Sequence, residues 1–161
     1  MREEEKLARD VYAAAFAQTG LTVFDNIGRS EQSHTDAVAA VLRARSIPDP
    51  VVVDVAGSFR DPTLAGLYDA LVAQGQASEV EALRVGATIE DLDLHDLAQM
   101  RARTTEPDAL ALYDTLACGS RNHMRSFVSQ LASRGDSYEA AYLPAEEITS
   151  IVSSARETCG R

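Results

Sequence analysis

Glu31 and His34 are the first residues in the sequence whose types and spacing could do chemistry. Three positions apart on a helix, a carboxylate and an imidazole lie side by side, and such a pair can bind a metal ion. Both fall within the apolar arc of their own helix, where a carboxylate is costly unless its charge is compensated. The pair therefore indicates a metal site, a lone buried salt bridge or a pore-lining polar pair. The apolar residues of this arc are Val23, Phe24, Ile27, Val38, Val41 and Leu42.

Two later helices repeat the same anomaly. Glu90 lies in the middle of an apolar arc, and Asp93 follows it by one turn at the edge of that arc. His123 lies at the margin of the next apolar face, and Ser120 lies near its middle. His123 alone is also explained as a core histidine bonded to a backbone carbonyl. Three helices that each direct Glu or His inward are hard to explain by packing, whereas a shared cation explains them together.

The first helix is expected to supply one more carboxylate. Glu4 falls between Val11 and Ala15 in helical phase, and Glu5 falls between Tyr12 and Phe16. Phase alone does not choose between the two glutamates.

The elements that must position these residues are helices. Capping residues, Gly and Pro mark where each helix begins and ends, and Asp91 to Leu94 are expected to distort the middle of the fourth. Residues 48 to 60 form one irregular connection. The first predicted helix runs from Arg2 to Gln18, and the second is capped by Thr22 and ends before Pro48. The third begins at Asp61-Pro62 and ends at Gln74, and the fourth begins at a capping box of Ser78 and Glu81 and ends at about Arg103. The fifth begins at Glu106-Pro107 and ends near Gly135, and a short helix follows from about Ala145.

Composition limits the possible fold class, domain number and partners of the protein. The 161 residues are 45% apolar and 25% charged, which suits one globular domain over 1–161, with a bundle core at about 2–135 and a tail at 136–161. No Trp and 6% aromatic residues favour an all-α fold. The formal charge of −10 argues against nucleic-acid partners. No membrane span is expected, because no run of 18 apolar residues occurs.

The compartment stays open at this stage. The acidic start of the chain is unlike a signal peptide, but a trimmed N-terminus is compatible with it, so both a cytoplasmic and an exported protein are retained. Cys118 and Cys159 match neither a zinc spacing nor a redox pair, and they are expected to be two unrelated thiols.

The order of the polar residues resembles that of ferritin-like, rubrerythrin-type proteins. It runs Glu5-x-x-Ala8-Arg9-x-x-Tyr12, Glu31-x-x-His34, Glu90-x-x-Asp93 and Ser120-x-x-His123. More closely, EEEKLARDVY, VFDNIGRSEQSH, ALRVGATIEDLDL, GSRNHMRSF and YEAAYLP resemble the ferritin-like "domain of unknown function 2202" family. The resemblance covers nearly the whole chain.

This resemblance implies an antiparallel four-helix bundle with a short extra helix in the crossover and a short C-terminal helix. It also implies a di-iron site, and it favours Glu5 over Glu4. Ser120 departs from the pattern where a second Glu-x-x-His should begin, and Asp93 is the residue that could replace the missing carboxylate. Zinc or manganese also suits such ligands. The implied metal ligands are Glu5, Glu31, His34, Glu90 and His123, with Asp93 as an additional candidate.

Two classes of function follow from the resemblance. The first is a di-iron carboxylate oxidoreductase that acts on O₂, peroxide or Fe(II). The second is a non-catalytic module for metal binding or storage, or an interaction domain with a structural metal. Because the sequence has no Cys-x-x-Cys pair, a redox-active site needs an external electron donor. A homodimer is compatible with either class.

Overall fold

The computed structural model describes residues 1–160, and within them the protein contains six helices and no strand. The all-α prediction is therefore confirmed for this part of the chain. The helices are α1 (Arg2–Thr19), α2 (Thr22–Ala44), α3 (Pro62–Gly75), α4 (Glu79–Ala102), α5 (Pro107–Ala132) and α6 (Ala145–Ser153).

Local signals account for most helix ends. Gly20 ends α1 in the left-handed region, with φ of 69°, and its N–H donates to the Phe16 carbonyl. The Asp61 carboxylate caps α3 by accepting from the N–H of Thr63 at 2.8 Å, as the sequence predicts. The prediction for α2 was wrong by one residue, because Leu21 is the N-cap and Thr22 is already helical.

The chain divides into two compact units, Met1–Glu79 and Val80–Arg161. In the first unit α1 packs antiparallel against α2: Arg2 contacts Thr35, Arg9 contacts Gln32, and the Tyr12 ring lies 6.2 Å from that of Phe24. Helix α3 also packs against α1. Helix α1 is therefore the central element of this unit.

The irregular connection between α2 and α3 is tied to the polar side of α1. Arg2 binds the Asp49 carboxylate at 3.1 Å, and Arg9 binds that of Asp54 at 2.9 Å. Lys6, which is fully buried, donates to the Val55 carbonyl at 2.8 Å and to Asp10 at 2.6 Å. These contacts fasten the connection to α1.

In the second unit α4 and α5 run antiparallel. Residues later in α4 contact residues earlier in α5, as two antiparallel helices require. The contacting pairs are Gly86 with the Phe127 ring, Glu90 with His123, and Asp93 with Ser120. A Cβ at Gly86 would lie 2.5 Å from the Phe127 ring, so this crossing is very close. The expected distortion of α4 was wrong, since the helix continues through residues 91–94.

Asp91 instead fastens the segment that follows α5. Its buried carboxylate accepts from the Tyr138 hydroxyl at 2.8 Å and from the backbone N–H groups of Ala141, Tyr142 and Leu143. Four donors to one carboxylate compensate its burial. The YEAAYLP segment is therefore anchored to the middle of α4.

The two cysteines form a disulfide, so the expectation of unrelated thiols was wrong. Cys118 on α5 is bonded to Cys159 beyond α6, with Cα atoms 5.6 Å apart. The tail is drawn to α5 by contacts that spacing could not reveal: Asn122 donates to the Glu157 carbonyl, and Arg121 binds the Glu157 carboxylate.

None of the helices within residues 1–160 combines the length and the apolar character that a membrane crossing requires. The single domain over 1–161 and the ferritin-like arrangement of α1, α2, α4 and α5 stay predictions.

Candidate metal centre

Three predicted ligands of the N-terminal unit meet in its interior. Glu5 of α1 and Glu31 and His34 of α2 each offer a ligand atom, and these atoms all lie within 4.8 Å of one another. The His34 Nδ1 atom lies 2.9 Å from a Glu31 carboxylate oxygen and 3.2 Å from one of Glu5. All three side chains are buried, with at most 8% of any residue exposed.

The antiparallel packing of α1 and α2 produces this group. Glu31 and His34 are one helical turn apart and therefore share a face. Glu5 is brought to the same level because Arg2 and Arg9, which flank it on α1, bond two neighbours of the pair on α2: Thr35, which follows His34, and Gln32, which follows Glu31. These polar contacts fix α1 and α2 to each other at the group.

The structure selects Glu5 rather than Glu4 for this group. Glu5 bonds His34, whereas the Glu4 carboxylate lies 2.9 Å from the amino group of Met1. Glu3 points elsewhere and accepts from the backbone N–H of Arg60. The choice that helical phase left open agrees with the one that the family resemblance favours.

The electrostatics of the group centre on His34. Burial by itself lowers the pKa of His34, but the hydrogen bonds and charges of Glu31 and Glu5 outweigh it and raise the pKa to about 11. The raised pKa favours the protonated form of His34 between the two carboxyl groups.

The spacing around His34 fits a cation. Two ligands that each lie about 2.0–2.2 Å from a shared ion are at most about 4.4 Å apart. The His34 Nδ1 atom meets this condition with both carboxylates, at 2.9 Å from Glu31 and 3.2 Å from Glu5. Two carboxylates and an imidazole are a donor set suited to iron, zinc or manganese.

The C-terminal unit brings together two more predicted ligands. Glu90 of α4 and His123 of α5 are both buried, and the His123 Nδ1 atom lies 3.5 Å from a Glu90 carboxylate oxygen. One turn along each helix, the Ser120 hydroxyl donates to Asp93 at 2.6 Å and also contacts the Leu116 carbonyl. A ligand role for Asp93 stays a prediction, as does one centre that includes all five residues.

The sequence interpretation missed the buried polar residues that support α1. Lys6 and Asp10 form an ion pair of 2.6 Å and are at most 4% exposed, and the Lys6 ammonium lies 4.4 Å from the centre of the Phe59 ring. Their i, i+4 spacing, which places a lysine and an aspartate on one face of α1, was the signal available in the sequence.

Comparison with known proteins gives consistent results. The sequence pattern of an uncharacterized protein domain, DUF2202, matches residues 1–155. The uncharacterized protein MJ0754 of Methanocaldococcus jannaschii is 49% identical over 157 residues, which cover 98% of this chain and 85% of the relative. A crystal structure of the hypothetical protein MJ0754 from Methanococcus jannaschii superimposes with a TM-score of 0.96, covering 98% of this chain and 90% of that one. The chain therefore belongs to the DUF2202 family.

Proposed function

We propose that this protein binds metal through Glu5, Glu31 and His34 of the N-terminal unit, and that Glu90 and His123 bind metal in the C-terminal unit. The observation that carries the proposal is the N-terminal group, in which three buried ionisable side chains have their ligand atoms within 4.8 Å. Two buried carboxylates around one imidazole are costly to assemble for packing alone. A cation that the three groups share compensates this cost.

The metal that we propose is a pair of iron ions. The residue order resembles ferritin-like proteins, whose bundle helices supply Glu and Glu-x-x-His ligands to two irons. When bound, a di-iron pair would supply one-electron redox changes for the reduction of O₂ or peroxide. The protein's own residues bind the ions and keep bulk water away from them, because all five residues are at most 8% exposed.

The reaction class that follows is oxidation of Fe(II) or of a small reductant by O₂ or peroxide. Both cysteines are in the disulfide, and no cysteine is free among the described residues. The electrons for a catalytic cycle must therefore come from a donor outside the chain, unless Fe(II) itself is the substrate.

A second candidate is a non-catalytic metal-binding or storage module, or an interaction domain with a structural metal such as zinc. One observation favours it: the His34 Nδ1 atom on α2 lies 2.9 Å from Glu31 on the same helix and 3.2 Å from Glu5 on α1. A metal ion held by these residues would link the two helices and contribute stability without redox chemistry.

Metal analysis paired with an optical spectrum tests both candidates. The protein is purified from aerobic cultures, its metals are measured per chain, and the near-ultraviolet spectrum is recorded before and after addition of a reductant. Glu31→Gln is the test variant. Glu139→Gln makes the same chemical change at an exposed position and is the control.

The di-iron proposal expects about two irons per chain and a reductant-sensitive oxo-to-iron absorption. Both features should be lost in Glu31→Gln and kept in Glu139→Gln. Stoichiometric zinc with no oxidant-dependent change supports the structural module instead. Metal content that is equal in all three proteins contradicts metal binding at Glu31.

A further inference from the structure

We infer that Arg9 is a positioning residue for metal binding: it fixes α1 against α2 and so holds Glu5 in place beside the two ligands of α2. This inference rests on the proposed function, because it concerns the same N-terminal group. It also predicts that a positively charged side chain strengthens the binding of a cation. The inference comes from the contacts of the Arg9 guanidinium.

The Arg9 guanidinium makes five hydrogen bonds, which is the number of its N–H groups. Nε and Nη2 donate to Asp10 Oδ1 at 2.9 and 2.8 Å, and Nη1 and Nη2 donate to the two Asp54 carboxylate oxygens at 2.9 and 2.5 Å. Nη1 also donates to Gln32 Oε1 at 2.7 Å. Acceptors on α1, on α2 and on the connection between α2 and α3 therefore hold this planar group in one orientation.

Gln32 connects the guanidinium to α2 next to a ligand. It directly follows Glu31, and its own Nε2 donates to Asp36 Oδ1 at 2.9 Å, so its amide is held at both ends. On α1, Arg9 lies one helical turn after Glu5. The Arg9–Gln32 hydrogen bond therefore joins the two helices within about one turn of the ligands on each.

The proposed site needs this link because its ligands come from two helices. Glu31 and His34 belong to α2, so a slide or rotation of α1 moves Glu5 relative to both. Functional groups must stay within about 0.5 Å of the productive geometry. Residues that hold metal ligands in place typically contribute about 10- to 100-fold to metal affinity.

Electrostatics alone predicts the opposite effect of Arg9. A guanidinium one turn from Glu5 repels a cation, so removing its charge should by itself tighten metal binding. Positioning predicts weaker binding after the same removal. The direction in which the metal affinity changes therefore distinguishes the two effects.

The test is an equilibrium titration of chelator-treated protein with Zn(II) in competition with a chromophoric chelator. Zn(II) is used because it has no redox chemistry that could shift the equilibrium during the measurement. Glu5→Gln identifies the binding step of the N-terminal group, because this variant should lose that step. The dissociation constant of the same step is then compared among the other variants.

Arg9→Gln should raise this dissociation constant about tenfold or more. Arg9→Lys keeps the charge but loses the planar fork of donors, and Gln32→Met changes no charge, yet both should raise the dissociation constant as well. Arg29→Gln is the matched control: it removes the same charge from α2, where the Arg29 side chain is 73% exposed, and it should not raise the dissociation constant.

A double variant tests whether Arg9 acts through Gln32. Arg9→Gln/Gln32→Met should weaken Zn(II) binding by less than the product of the two single effects, because both changes break the same hydrogen bond. Circular dichroism melting in chelator identifies the variants that fold. Arg9→Lys and Gln32→Met decide the outcome if Arg9→Gln does not fold.

The outcomes separate this inference from the proposed function. Tighter or unchanged binding in Arg9→Gln overturns the inference, as does wild-type affinity in Gln32→Met. Equal losses in Arg29→Gln and Arg9→Gln, or independent effects in the double variant, also overturn it. Metal binding itself stands in all these cases, whereas no Zn(II) bound by the wild-type protein overturns the proposed function.

Discussion

At the scale of single residues, the proposed metal ion would take the place of a proton at Glu31 and His34. His34 Nδ1 lies 2.9 Å from Glu31 and 3.2 Å from Glu5, so a cation bound to all three residues would replace the hydrogen bonds between them. The proposal therefore predicts that metal and proton compete for the same negative charge.

We expect Glu31→Gln to lose the thermal stabilisation that metal gives to the wild type. A ligand that binds only the folded state stabilises it by about 2.7 kcal/mol at a hundredfold excess over its dissociation constant. The measurement is the melting temperature of each protein with chelator and with Fe(II) under anaerobic conditions. His95→Asn changes the half-exposed His95 of α4 and should keep the full wild-type gain. Equal gains in wild type and Glu31→Gln would show that Glu31 is not a ligand.

Glu157 should govern part of the acid sensitivity of the C-terminal unit. Its hydrogen-bonded partner Arg121, with Arg125 adding to the effect, lowers the pKa of the Glu157 carboxyl from 4.5 to about 2. A lowered pKa stabilises the folded state above pH 4.5, and this contribution is lost as the pH falls to about 2.

Urea unfolding at a series of pH values between 4.5 and 2 checks this expectation. The free energy of unfolding of the wild type should fall more steeply in that window than that of Glu157→Gln. Glu139→Gln, at an exposed position, should follow the wild-type slope. The same pH dependence in wild type and Glu157→Gln would show that Glu157 does not contribute to the acid sensitivity.

At the scale of elements, the close crossing of α4 and α5 depends on Gly86. A Cβ at this position meets the Phe127 ring at 2.5 Å, and that ring is completely buried. We expect Gly86→Ala to destabilise the protein by about 1–3 kcal/mol, because the ring or a helix must move. Chemical denaturation gives the value. Phe127→Leu in the same chain should recover part of the loss, since it removes the ring atoms in the way.

Gly66→Ala is the matched control for this substitution. Gly66 lies inside α3, and nothing comes within 4 Å of a Cβ there. Removing the conformational freedom of this glycine should stabilise the protein by about 0.4–1 kcal/mol. If both substitutions changed the free energy of unfolding equally, the contact with Phe127 would not be the cause of the destabilisation.

The disulfide should stabilise the C-terminal unit by limiting its unfolded ensemble. Cys118 and Cys159 are 41 positions apart, and a loop of that length corresponds to about 4 kcal/mol in the chain-entropy estimate. Guanidinium unfolding with and without dithiothreitol should show this difference in the wild type. The Cys118→Ser/Cys159→Ser double variant should have the same free energy of unfolding with and without dithiothreitol. A wild type that is insensitive to the reductant contradicts the estimate.

Helix positions could be predicted from the sequence because their signals are local. Asp61 and Gly20 act through backbone groups within four residues, so the ends of α3 and α1 follow from the sequence alone. The disulfide and the contacts of Asp91 join segments 41 or more residues apart. Neither leaves a periodic trace in the sequence, so neither could be predicted from it.

At the scale of the whole molecule, both the net negative charge and the buried Glu and His residues favour the binding of cations. A formal charge of −10 attracts cations and repels phosphate backbones. The inward-facing Glu31, His34, Glu90 and His123 could be found from helical phase, because a charged residue in an apolar arc stands out. The choice of Glu5 needed more than phase, since it depends on how α1 is set against α2 by Arg2 and Arg9.

Anomalous X-ray scattering at the iron edge, from crystals grown with Fe(II) under anaerobic conditions, tests the central claim most directly. The account predicts a peak about 2.0–2.3 Å from Glu5 and Glu31 carboxylate oxygens and from His34 Nδ1. The hydrogen bonds from His34 Nδ1 to both carboxylates should then be absent. Anomalous peaks confined to exposed carboxylates, with His34 still bonded to Glu5 and Glu31, would contradict the metal centre.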